Sequence, residues 1–156
     1  MKGPKIIEKS AMTLVGIVGC AADVRDIDIS GLWQRFTKQE QLIKHVVGDI
    51  GYELHIEEEQ QPRLHLCLVG FEVSQIDDMP IEYFIKVLPP CKYARFTHRF
   101  KDGDYGDAFV AAYGWLENSL YQAAHPYDIQ AYDERFKGSD DPDSMIEILI
   151  PIIAKS

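Results

Sequence analysis

The stretch SMIEILIPI at 144–152 sets one carboxylate, Glu147, in an otherwise apolar run. A desolvated glutamate can attract a cationic ligand, or activate a water as a general base, because its charge is costly to bury without a partner. Strand alternation leaves two places for it. Either Glu147 faces solvent while Ile146, Ile148 and Ile150 face the core, or it is the one charge of an apolar pocket. Leu149 shares its face, so that face is not simply wet.

A second group with chemical potential is Glu53, His55, His65 and Cys67, which alternation puts on one face of a hairpin. A metal site can be drawn from them, yet the same alternation reads them as an outward, solvated face, and no ligand spacing occurs elsewhere. No metal and no cofactor are therefore expected. No local Cys–His or Ser–His motif is present, and the acidic run GSDDPDS reads as a solvated loop. Trp33, Phe36, Tyr113 and Trp115 sit at helical spacing, which suits core packing; their bulk exceeds one narrow seam and also suits the walls of a groove.

The elements that must position these residues follow from the pattern. KIIEKSAMTLVGIV (5–18) reads as strand, interrupted near Lys9 and Ser10. SGLWQRFTKQEQLIKHVV reads as a helix carrying Leu32, Trp33, Phe36 and Ile43, with Ser30 as its N-cap. GYELHIEEEQQPRLHLCLVGFEV (51–73) alternates about a turn, and a pairing centred on Gln60 sets Leu54 opposite Leu66, His55 opposite His65 and Glu57 opposite Arg63. The order then recurs: strand material at 83–100 broken by Pro89 and Pro90, a helix within 103–122, and a hairpin from 127–136 and 145–153. A duplicated strand–helix–hairpin unit predicts an α+β fold: pseudo-repeats of about 5–75 and 83–153 in one domain spanning 1–156, one antiparallel sheet, two helices on it and a groove between them.

The 156 residues carry 25 acidic against 16 basic side chains, a net charge of −9, which argues against direct nucleic-acid binding and is compatible with cationic small molecules. Cys20, Cys67 and Cys91 are widely spaced and suggest no disulfide framework, which fits a reducing cytoplasm. AMTLVGIVGCAA at 11–22 imitates a secretion signal, but Glu8, Ile6 and Ile7 spoil the charged leader. No run of about 20 apolar residues exists, so no membrane span is expected.

LPPCKYARFTHRF, AFVAAYGWLENS, IQAYDERF and IEILIPI together resemble the GyrI-like small-molecule-binding family, the effector-binding domain of multidrug-responsive transcription activators; IIEKSAMTLVGI and ISGLWQRF fit its first half. The resemblance implies a SOUL-like duplicated fold with a ligand cleft between the halves. It implies hydrophobic, often cationic, aromatic ligands, with Glu147 in the cleft and Trp115 on its wall. Tyr113, Trp33, Phe36, Phe71 and Tyr132 complete the expected lining. Where many members carry a glutamate shortly before this tyrosine, the chain has Gln130, so a second acid is missing. As a stand-alone member it is expected to hold its ligand. The rival readings are a hydrolase that opens the cyclopropane ring of DNA-alkylating antibiotics, with Glu147 as catalytic base, and a modulator that works through a protein partner.

Overall fold

The computed structural model describes residues 2–60 and 62–156. Met1 and Gln61 lie outside them. The chain runs β1 (Lys5–Lys9), β2 (Met12–Ala21), α1 (Ile29–Thr37), β3 (Gly51–Glu58), β4 (Leu64–Val73), β5 (Phe84–Leu88), β6 (Cys91–Arg99), α2 (Tyr105–Glu117), β7 (Tyr121–Ala123), β8 (Tyr127–Tyr132) and β9 (Met145–Ala154). The strands form one antiparallel sheet in the order β1-β6-β9-β8-β3-β4-β2-β5, with β7 added to β9. The order reads alike from both ends, each half lending a short strand to the other.

Two short links decide the shape. Ser10–Ala11 joins β1 to β2 and Pro89–Pro90 joins β5 to β6, each connecting opposite ends of the strand order. Two residues reach only about 7 Å, so the ends of the sheet adjoin and the sheet curls upon itself. Leu14, Leu54, Tyr93, Ile129 and Leu149 fill the inside of that curl. The prolines suit the corner because they cannot donate to a ladder.

The outer face carries the helices. On α1, Leu32 and Phe36 pack over Val15, Cys67 and Val69 of β2 and β4; on α2, Ala108, Ala112 and Leu116 pack over Phe96, Ile146, Ile148 and Ile150 of β6 and β9. The central pair, β3 and β8, is left between them.

Three expectations need correction. The cap of α1 is Asp28, which accepts the Gly31 N–H at 3.0 Å, and the helix stops at Thr37; Ile43 reaches the same core from beyond a short 3-10 turn, so its spacing came from a shared cluster. The first hairpin pairs Leu54 with Leu68 and Glu57 with His65, a slip of two residues that keeps every side chain on its expected face. Arg63 still reaches Glu57, at 2.8 Å. The face bearing Glu53, His55, His65 and Cys67 is not solvated: all four are buried beneath the helical layer, because a sheet curled with helices outside covers both faces of its central strands.

Candidate functional site

A cavity of ≈ 1150 Å³ opens on the outer face of β3 and β8, between the two helices. Its floor is Glu53, His55 and Glu57 of β3, His65 and Phe71 of β4, and Asp128, Gln130 and Tyr132 of β8. Trp33 walls one side from α1; Tyr105, Phe109 and Tyr113, four residues apart on α2, wall the other. A capping box starts α2, with Asp107 N–H donating to Asp104 and Asp104 N–H to Asp107, both at 3.0 Å. Its small residues Ala108 and Ala112 lie on the sheet, which turns the tyrosine stripe toward the cavity. Tyr132 stands edge-on to Trp33 at 5.9 Å and to Phe136 at 4.8 Å, so the aromatic wall is continuous.

The floor is built around one relay. Trp33 Nε1–H donates to Glu53 Oε1 at 2.6 Å, Glu53 Oε2 lies 3.1 Å from His55 Nε2, and His55 Nδ1 lies 3.0 Å from His65 Nε2. Burial works against a charge on His55, but its hydrogen bonds to Cys67 and Glu53 outweigh burial and push the imidazole up to about 10. Burial and the neighbouring His55 charge both lower His65, so its Nε2 accepts a hydrogen bond from the charged His55 Nδ1–H. Glu53 and His55 therefore form a buried ion pair. Across the β3–β8 axis Glu53 stands opposite Gln130, so the acid absent at 130 is present on the partner strand.

Asp128 is the second floor acid. Its Oδ2 accepts the Tyr113 hydroxyl at 2.6 Å, and its Oδ1 is buried with no partner. Burial pushes its carboxyl up, opposed by the Tyr113 hydrogen bond and the His55 charge. Among the described residues, no Lys or Arg lines the cavity.

Of the residues expected to line a cleft, the structure brings Trp33, Phe71, Tyr113 and Tyr132 together. It places three elsewhere. Phe36 is fully buried in the core under α1, and Trp115 packs edge-on against Phe96 and stacks on Tyr121 beneath α2. Glu147 lies on the other face of β9 from Ile146 and Ile148, where Arg135 Nη2 donates to it at 2.8 Å and Arg95 Nε approaches at 3.5 Å. Its charge is compensated outside the cavity lining, in place of the free pocket carboxylate expected. The residues that the sequence reading missed as lining are Glu53, His55, His65, Asp128, Tyr105 and Phe109. Cys67, Val69 and Phe71 make the rest of that β4 face apolar, and this was the available signal that the face is covered.

Among the described residues, no group of three or more His, Cys, Asp or Glu has the geometry to hold a metal ion. Both His55 nitrogens and His65 Nε2 are engaged with one another and with Glu53. Prolonged chelation is expected to leave the melting temperature unchanged; a fall restored by zinc would contradict this.

Comparisons with known proteins agree with this architecture. The family described as integron-associated effector binding protein matches residues 5–152. The transcriptional regulator BrlR of Pseudomonas aeruginosa is 33% identical over 153 residues, covering 95% of this chain and 54% of BrlR, so the chain spans about half the length of that relative. SAV2435 in complex with tetraphenylphosphonium superposes with a TM-score of 0.72 at 17% identity, over 98% of this chain and 94% of that one. An integron cassette protein from the mobile metagenome of Vibrio cholerae superposes at 0.63 with 16% identity, over 97% of both chains. No helix of the described residues is long and apolar enough to cross a membrane. With 148 of its residues matched end to end and the curled, two-helix fold in common, the chain belongs to the integron-associated effector-binding family, a GyrI-like family of small-molecule-binding domains.

Proposed function

We propose that the chain binds lipophilic aromatic cations in the cavity between α1 and α2. The observation that carries this reading is the pairing of a continuous aromatic wall with a carboxylate floor, Glu53, Glu57 and Asp128, of which among the described residues only Glu57, at the rim, is held by an arginine. Such a site offers apolar burial for the body of a ligand and ring faces and carboxylates for its charge. Two likenesses support it: BrlR is a regulator, and SAV2435 was solved with a lipophilic cation.

Tetraphenylphosphonium is expected to bind more tightly than neutral triphenylphosphine oxide, by isothermal titration at low salt. Tyr132→Ala should weaken the cation about tenfold, since it removes a ring face worth about 0.5–2 kcal/mol together with apolar wall. Equal affinity for the charged and neutral probes would count against a cation site. Glu147→Gln should leave both affinities unchanged, because Arg135 and Arg95 already hold that carboxylate.

A further inference from the structure

The three carboxylates on the strand floor are not equivalent. Glu53 is matched by the buried His55 cation and by the Trp33 N–H. Glu57 is matched at the rim by Arg63, 2.8 Å away. Asp128 has no cation within ion-pair distance among the described residues; the Tyr113 hydroxyl serves Oδ2, and Oδ1 is a buried acceptor with nothing donating to it. His55, directly across the strands from Asp128, is no remedy, because its two ring N–H groups already face Glu53 and His65. A buried oxygen left without a donor costs folding free energy, and native chains seldom keep one at the edge of a cavity unless something else supplies the donor.

We propose that Asp128, which lines the cavity, is the seat for a protonated amine: an N–H of an alkylammonium or amidinium ligand donates to its carboxylate, whose acceptor capacity the Tyr113 hydroxyl alone does not fill. The inference rests on the cation-binding reading above and narrows it. A quaternary ammonium or phosphonium supplies charge but no donor, so it leaves that capacity unfilled. An N–H-bearing cation supplies both. The cavity therefore selects aromatic amines over their quaternary analogues, with Tyr113 fixing the carboxylate's orientation and Tyr132, Trp33 and Phe109 holding the rings.

The test compares two ligands that differ by one methyl group, diphenylpropyl-dimethylammonium and diphenylpropyl-trimethylammonium, titrated calorimetrically at pH 7. Wild-type protein is expected to prefer the N–H-bearing ion about tenfold, the worth of one hydrogen bond to a charged group. Asp128→Asn should shrink that preference to about twofold or less. Glu147→Gln, at a carboxylate outside the cavity held by Arg135 and Arg95, should retain it. Equal affinity of the two ions for the wild type overturns the amine seat while leaving cation binding intact. A preference that survives Asp128→Asn overturns the assignment to this residue. Binding of neither ion, nor of tetraphenylphosphonium, overturns both readings.

Discussion

Glu53→Gln is expected to destabilise the fold by on the order of 3 kcal/mol at pH 7 and to flatten its alkaline stability profile. Glutamine keeps an acceptor for the Trp33 N–H but takes away the charge that faces His55. Removing one member of a buried pair strands the other, and His55, with nine-tenths of its side chain covered, relieves this only by releasing its proton. The pH dependence follows from the direction of the shift. His55 has a folded value raised to about 10 against an ordinary 6.5, so the folded state holds a proton that the unfolded chain loses earlier. The pair's contribution is therefore complete below pH 6.5 and is lost as pH rises through about 10. Between those values wild-type stability should fall by up to about 1.4 kcal/mol per pH unit relative to the glutamine variant, and by less to the extent that Cys67 sustains the His55 charge in that variant. Urea unfolding of both proteins from pH 6 to 10 measures it. Parallel profiles would mean that Glu53 does not sustain the His55 charge.

That relay was the part of the molecule least legible in the sequence, and the reason is geometric. Alternation says which residues share a face but not which faces are covered. Glu53, His55 and His65 look solvent-facing in a sheet with one wet side, whereas a sheet whose ends adjoin has none over its central strands. The interruption at Ser10, the break at Pro89 and Pro90 and the recurrence of helix and hairpin were all readable, because each rests on local backbone chemistry. The α+β architecture followed from them, and the family from the resemblance of LPPCKYARFTHRF, AFVAAYGWLENS, IQAYDERF and IEILIPI. The closure did not, since it depends on Ser10–Ala11 and Pro89–Pro90 crossing between opposite ends of the strand order.

The same reasoning explains the aromatics and Glu147. Helical spacing put Trp33 and Tyr113 on the groove, and both line it. Phe36 and Trp115 belong to neighbouring stripes of the same helices, which turn toward the sheet and are used for packing. Leu149 correctly signalled that the face of Glu147 is covered, but the cover is the inside of the curl, and the arginines that hold Glu147 come from β6 and from beyond β8. Distances of that kind have no periodic signature. The two-residue slip in the first hairpin did no harm, because side-chain direction has a period of two.

Gly70→Ala should, like Gly16→Ala, be among the most damaging single methyls that can be added to the described residues. Gly16 of β2 and Gly70 of β4 are cross-strand partners, and a Cβ on Gly70 would collide with the backbone carbonyl of Val15, just as one on Gly16 would collide with that of Val69. Neither obstacle is a side chain that can rotate away. The two strands would have to part at the place where α1's floor, Val15 and Val69, is anchored, which is also the edge from which Trp33 reaches the cavity. Forcing atoms into a filled site costs about 1–3 kcal/mol when the surroundings can yield, and rigid paired backbones put this site at or above the top of that range. A control separates the steric term from glycine's backbone entropy: Gly114, inside α2, has nothing within 4 Å of a built Cβ. Gly114→Ala should therefore stabilise the protein by up to about 1 kcal/mol through helix propensity alone. Denaturant unfolding of the two variants should give shifts of opposite sign. If Gly70→Ala unfolds with the wild-type midpoint, the close approach of β2 and β4 does not constrain the curl, and the cavity's shape must be set from the other half of the sheet.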